Sequence, residues 1–243
     1  MLERRSALFC ADSRAARRES PPLRIGEVRG FALVQAAAFA DTVVALGRAV
    51  RTAIGVQLPE RLDTPRHAGG LCVFKVGPGQ FWIVGPDDSP AMPMATAGSR
   101  SQGASVARLD ERPRPFGAGP EQVRSAGGQN TWATSLGHAV PSAIGSLTSL
   151  SHGRTRLFVD GPAAREVLSK GIALDLHPEV FRCDAYALTG LQDTPVLLHR
   201  TGAQRYELYV LRTYAGWIWE WLTDAALPFG YDVVETSHAS MQG

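Results

Sequence analysis

The sequence predicts an α+β fold: two split β-α-β (ferredoxin-like) halves with antiparallel sheets, interrupted by a long disordered insertion. Three observations carry that expectation. The first part of the chain reads strand, helix, strand, strand; tight glycine turns join neighbouring strands; and the last part reads as a helix, three consecutive strands, an aromatic helix and a final strand. A doubly wound parallel sheet would instead need a helix after almost every strand.

The first element is a short strand over residues 30–35, Gly-Phe-Ala-Leu-Val-Gln. Asp41 is a candidate N-cap for a helix that ends near Gly55, and Val43, Leu46, Val50 and Ile54 recur at three- and four-residue steps, which gives that helix one apolar face. A loop rich in Pro, Arg and Gly leads to residues 71–76, a Gly-Pro-Gly turn at 77–79, and residues 80–84, a strong hairpin pattern.

Residues 89–145 are about half Gly, Ala, Ser and Pro, and they lack apolar periodicity. Such a segment cannot bury enough surface to offset an ordering cost of about 1 to 2 kcal/mol per residue. Residues 148–151 and 155–159 then read as a second hairpin-like pair. Pro162 suits a helix start; Ala163, Val167 and Leu168 form its apolar stripe, and Gly171 is a candidate left-handed cap. A helical turn around Pro178 follows. Strands are expected over 185–191, 196–199 and 205–211, a helix over 214–226 and a last strand over 231–234. The organisation is thus a basic disordered tail at 1–22, a first half at 23–88, the insertion at 89–145, a second half at 146–236 and a tail at 237–243.

Composition narrows the function. With 44% hydrophobic and 20% charged residues in 243, the chain has the make-up of a globular protein, and it contains no apolar run long enough for a membrane-spanning helix. The brief apolar patch at residues 7–11 is too short for a secretory signal, so a cytoplasmic location is expected. A net charge of +2 gives little attraction to nucleic acid. Cys10, Cys72 and Cys183 are odd in number and far apart, which argues against a disulfide framework or a thiolate metal site.

Several residues invite a catalytic or ligand reading and are better read as structural. Ser151 and His152 are adjacent, and neighbours on a strand point to opposite faces, so they make no nucleophile-base pair; the turn more plausibly positions Arg154 for an ion pair. His177 lacks any His-x-x-x-His or Cys-x-x-Cys partner and suits a capping or interface role, with Asp175 accepting backbone N–H bonds beside it. Trp217, Trp219 and Trp221 alternate by two on a helix, so at least one should reach the surface, where it could anchor a partner subunit. The Gly77 to Gly79 run has Trp82 where a dinucleotide fingerprint needs glycine, Gly117-Ala-Gly119 has Gln122 there and no strand before it, and no Gly-Lys-Ser/Thr phosphate loop occurs. No catalytic, cofactor-binding or metal residue is therefore assigned.

Leu150-Ser-His-Gly-Arg-Thr155, Gly161-Pro-Ala-Ala-Arg165, Lys170-Gly171 and Leu174-Asp-Leu-His-Pro178, in that order, resemble the gamma subunit of heterotetrameric sarcosine oxidase. The run from Gly77 to Pro86, the strand Tyr206-Glu-Leu-Tyr-Val210 and Trp217-Ile-Trp-Glu-Trp-Leu222 resemble the same family, so the likeness spans residues 25–88 and 146–234. The resemblance implies a fold akin to the folate-binding domain of the glycine-cleavage T-protein, and an assembly with alpha, beta and delta subunits, mainly alpha, that oxidatively demethylates sarcosine. It also implies that FAD, FMN, NAD, tetrahydrofolate and zinc belong to the other subunits, with no catalytic residue here.

Two departures stand out. Pro78-Gly79-Gln80 replaces the family's Pro-Asp-Glu, and the insertion replaces a shorter connection that usually carries a helix, which leaves that helix missing, displaced or hidden within residues 121–143. A competing reading on the same fold is a free-standing folate-binding regulator or aminomethyltransferase. Against it, the Gly-Gly-x-x-Asp-Asp segment of T-proteins is absent. An oxidase complex acting on another N-methyl amine would leave this chain looking much the same.

Overall fold

The computed structural model describes residues 23–87, 132–234 and 236–237, together with Ser6 and Leu8. Most of the expected basic tail, most of the expected insertion, Cys10 and the Gly117 run lie outside the described residues.

β1 (Arg24–Arg29) and β2 (Phe31–Ala38) are separated by Gly30, whose φ of 68° lets the chain turn a corner that a side chain would strain. The corner moves the chain from one sheet to another. α1 (Val43–Ile54) follows, then the edge strand β3 (Arg66–Ala68), β4 (Leu71–Gly77), β5 (Gln80–Pro86), α2 (Trp132–Ala139) and β6 (Gly145–Ser149). The remainder is β7 (Arg154–Asp160), α3 (Ala164–Ser169), β8 (Tyr186–Leu191), β9 (Thr194–Arg200), β10 (Arg205–Leu211), α4 (Ala215–Ala226), β11 (Asp232–Val233) and β12 (Thr236–Ser237).

Two sheets result, ordered β3-β4-β5-β2-β6 and β11-β1-β7-β10-β9-β8, with β12 also beside β1. All pairings are antiparallel except those of β1 with β11 and β12. The first sheet places β2 between β6, which ends the half, and the β4–β5 hairpin, the split β-α-β arrangement; in the second sheet β7 lies between β10 and β1, and β1 takes the place beside β7 that the closing strand β11 would otherwise fill. The α+β class with antiparallel sheets is therefore the observed one.

Strand alternation sorts the side chains into layers. Phe81 and Ile83 of β5 pack with Leu46 and Val50 of α1 and Leu136 of α2, while Trp82 and Val84 point the other way. In the second sheet Leu208 and Val210 pack under α3 and α4, and Tyr209 faces Phe31 and Phe74 of the first sheet. The order is helices, sheet, sheet, helices. Burying each large apolar side chain in these layers contributes about 1.5–3 kcal/mol.

Several expectations are corrected. β1 was not foreseen; it leaves the first half and lies between β7 and β11. The second hairpin does not exist, because β6 pairs with β2 and β7 pairs with β1 and β10. Residues 132–145 are ordered: α2 supplies Leu136 to the core, so the helix sought within 121–143 is present and the first half closes at β6. Thr42, not Asp41, is the N-cap of α1, and Asp41 has a φ of 63°. Gly171 is no left-handed cap, since α3 ends on Lys170 in a right-handed conformation. What Gly171 avoids is a collision: a Cβ there would stand 2.4 Å from Trp221.

Candidate functional site

The residues singled out in the sequence do not converge. Ser151 Oγ accepts a bond from the Leu33 N–H (2.9 Å) and ties the β6–β7 turn to β2, while His152 is exposed. The Arg154 guanidinium lies 4.6 Å from the centre of the Trp82 ring, a cation–π contact. Asp175 Oδ1 accepts the His177 N–H (2.8 Å), the turn role expected of it. Trp217 is 44% exposed, whereas Trp219 is buried and Trp221 partly so. Lys170 Nζ donates to the Ala225 carbonyl (2.6 Å), clamping α3 to α4.

A different set of residues comes together where the two sheets meet. Gly69 and Gly70, both at positive φ, make the two-residue turn that joins β3 to β4 and set His67 directly across from Cys72. Residues opposite each other share a face of the sheet, and Cys72 packs in the layer between the sheets. On the facing sheet, His199 of β9 is buried and stands edge-on to Phe74, with ring centres 5.1 Å apart. Asp184 precedes β8 at a φ of 66°, pinned by its own N–H bonding to the Arg200 carbonyl (2.7 Å).

These placements converge on one carboxylate. His67 Nε2 lies 2.8 Å from Asp184 Oδ1 and 3.0 Å from Oδ2, and His199 Nε2 lies 3.0 Å from Oδ1. The two imidazoles are nearly parallel, with centres 6.3 Å apart. Burial alone would raise the Asp184 pKa, but the bonds from His199 and His67 outweigh it and hold the carboxyl below its ordinary range. Tyr186 secures the junction by accepting the Lys75 N–H (2.9 Å) and donating to the Lys75 carbonyl (2.8 Å); burial pushes its pKa up to about 12. Chemically, two imidazoles on one carboxylate can hold a proton or a cation.

A second polar group is sealed between the sheets. Arg156 Nε and Nη2 both donate to Glu207 Oε2, at 2.8 and 2.5 Å, and Glu207 is wholly buried.

Comparison with known proteins finds similarity to one family over part of the chain. Residues 127–227 match the family described as sarcosine oxidase, gamma subunit. The sarcosine oxidase subunit gamma of Corynebacterium sp. (strain U-96) is 34% identical over 112 residues, 46% of this chain and 55% of that protein. The subunit gamma of an Arthrobacter species is 27% identical over 187 residues, 76% of this chain and 72% of that protein. Over these stretches the chain is similar to sarcosine oxidase gamma subunits. Its fold is that of a chain in the heterotetrameric sarcosine oxidase from Corynebacterium sp. U-96, with a TM-score of 0.64 and 24% identity over 87% of both chains. The matched segment holds Asp184 and His199, whereas His67 lies outside it.

Proposed function

We propose that this chain is a non-catalytic gamma subunit of a heterotetrameric sarcosine oxidase, an oxidoreductase that demethylates sarcosine to glycine. In this reading it binds mainly the large alpha-type subunit and stabilises it, alongside beta and delta subunits. FAD, FMN, NAD, tetrahydrofolate and zinc reside in those partners, no residue of this chain acts on substrate, and the complex is cytoplasmic. No helix among the described residues is long and apolar enough to cross a membrane, consistent with that setting. The observation that carries the reading is the family match over residues 127–227, which spans nearly all of the second half. The free-standing folate-binding or aminomethyltransferase reading is set aside, because each curated relative reported above is a gamma subunit.

Trp217 supplies the geometric support. It projects 44% exposed from the first turn of α4, beside a half-exposed Tyr214, while the rest of the helix buries Ile218, Trp219 and Leu222. An aromatic anchor of this kind at the centre of an interface contributes about 2 kcal/mol or more. Co-expression with the other three subunits, followed by size-exclusion chromatography, tests both points. The chain should co-elute with the complex, and W217E should weaken its retention at least about tenfold without lowering its own melting temperature. A complete, active oxidase that assembles without this chain would refute the reading.

A further inference from the structure

We propose that His67, Asp184 and His199 form a binding site for a divalent transition metal ion of the Zn2+ class. The site would clamp the edge hairpin of one sheet to β8 and β9 of the other. Its three donors come from separate places in the fold: the edge strand β3, the turn before β8, and β9. All three ligating atoms nonetheless lie within 4.8 Å of one another.

Two of the three donor separations are close to those around such an ion, and the third, between the imidazoles, is no more than 4.8 Å. Zinc bonds of about 2.0–2.2 Å in tetrahedral array place neighbouring donors about 3.3–3.5 Å apart. The observed 2.8 and 3.0 Å separations of the imidazoles from Oδ1 need to open by only a few tenths of an ångström. Two imidazoles and one carboxylate are a nitrogen-rich set that suits Zn2+ or Co2+ better than Ca2+ or Mg2+, which prefer all-oxygen shells. The aspartate charge favours a cation, and on binding each imidazole would present a lone pair to the metal in place of an N–H to Asp184.

His199 supplies an independent observation. Its side chain is only 4% exposed, its Nδ1 has no hydrogen-bond partner, and its one engaged nitrogen is Nε2, turned into the cluster. Of its two nitrogens only Nε2 faces the cluster, and a metal there would fix the neutral tautomer with the proton on Nδ1. The side chains of His67 and Asp184 are 49% and 45% exposed, which leaves the ion's remaining positions open to water. This is the pattern of a three-ligand site with free coordination. The inference concerns the chain's own side chains and does not depend on which complex it joins.

The test uses the full chain alone, without a histidine tag and stripped with EDTA, so that zinc held by partner subunits does not enter. Calorimetric titration with Zn2+ should show one saturable site, and the melting temperature should rise with Zn2+ concentration. Co2+ should give visible bands without a thiolate charge-transfer band. H67A, on an exposed edge strand, and D184N should fold and lose at least about tenfold in Zn2+ affinity. C183S, which removes the exposed thiol beside Asp184, should bind as the unaltered chain does. Absence of saturable 1:1 uptake, or Zn2+ affinity unchanged in H67A and D184N, would overturn the proposal and leave a hydrogen-bonded His-Asp-His cluster.

Discussion

Arg156 and Glu207 show how much depends on single side chains once they are sealed between two sheets. Each is buried, and each serves as the other's main counter-charge, while Arg205 approaches the second Glu207 oxygen only to 3.7 Å. Removing one partner leaves an uncompensated charge in a low-dielectric layer, so E207Q should cost about 3–5 kcal/mol in urea denaturation. Replacing both together, R156M with E207L, should come within about 1 kcal/mol of the unaltered chain or exceed it, because a desolvated pair returns little beyond its own burial penalty. A double variant as unstable as E207Q would mean that the pair contributes net stability. Neither residue stood out in the sequence. Arg156 and Glu207 sit on strands whose alternate positions are apolar, and alternation alone would place them in solvent, since it cannot say that the second face is covered by another sheet.

Among the elements, α3 and its exit show packing overriding a local signal. A glycine just past an apolar stripe ordinarily reads as a left-handed cap, but Gly171 is required by its neighbours: Trp221 of α4 and Leu191 of β8 crowd the volume a Cβ would take, and the Gly171 carbonyl accepts the Gln192 N–H (2.8 Å). G171A should therefore act by overpacking and cost about 1–3 kcal/mol, with a lower melting temperature. In a double-variant cycle, W221L should recover part of that loss. Strict additivity of G171A and W221L would place the strain elsewhere. The same kind of context explains which elements were legible. α1, α4, the β4–β5 hairpin and the run β8 to β10 carry their own periodicity and turns, and they appear within a residue or two of expectation. β1, β3 and β6 are strands only because a sheet edge is available to them, and α2 is two turns long within a Gly- and Ala-rich stretch. The His-Asp-His cluster was invisible for a related reason: Asp184 is 117 residues from His67 and 15 from His199, distances that no local motif spans.

For the molecule as a whole, the exchange of strands between halves decides what can be removed. β1 precedes the first half yet lies in the second sheet beside β11, so cutting the chain into 23–88 and 146–236 would strand β1 and leave the first sheet without β6. The connection from β5 to α2 is a separate matter. The two described ends that flank them meet, because Trp132 Nε1 donates to the Pro86 carbonyl (3.0 Å) and the indole sits where a Cβ on Gly85 would be. A short linker can therefore bridge β5 to α2. If residues 89–130 serve only as a connection, replacing them with about six Gly and Ser residues shortens the closed loop roughly sevenfold and should stabilise the fold by about 1–2 kcal/mol. Circular dichroism of the shortened chain should match the full chain, and its melting temperature should be equal or higher. A melting temperature lowered by several degrees would show that residues 89–130 bury surface against the two-sheet core and belong to the fold itself.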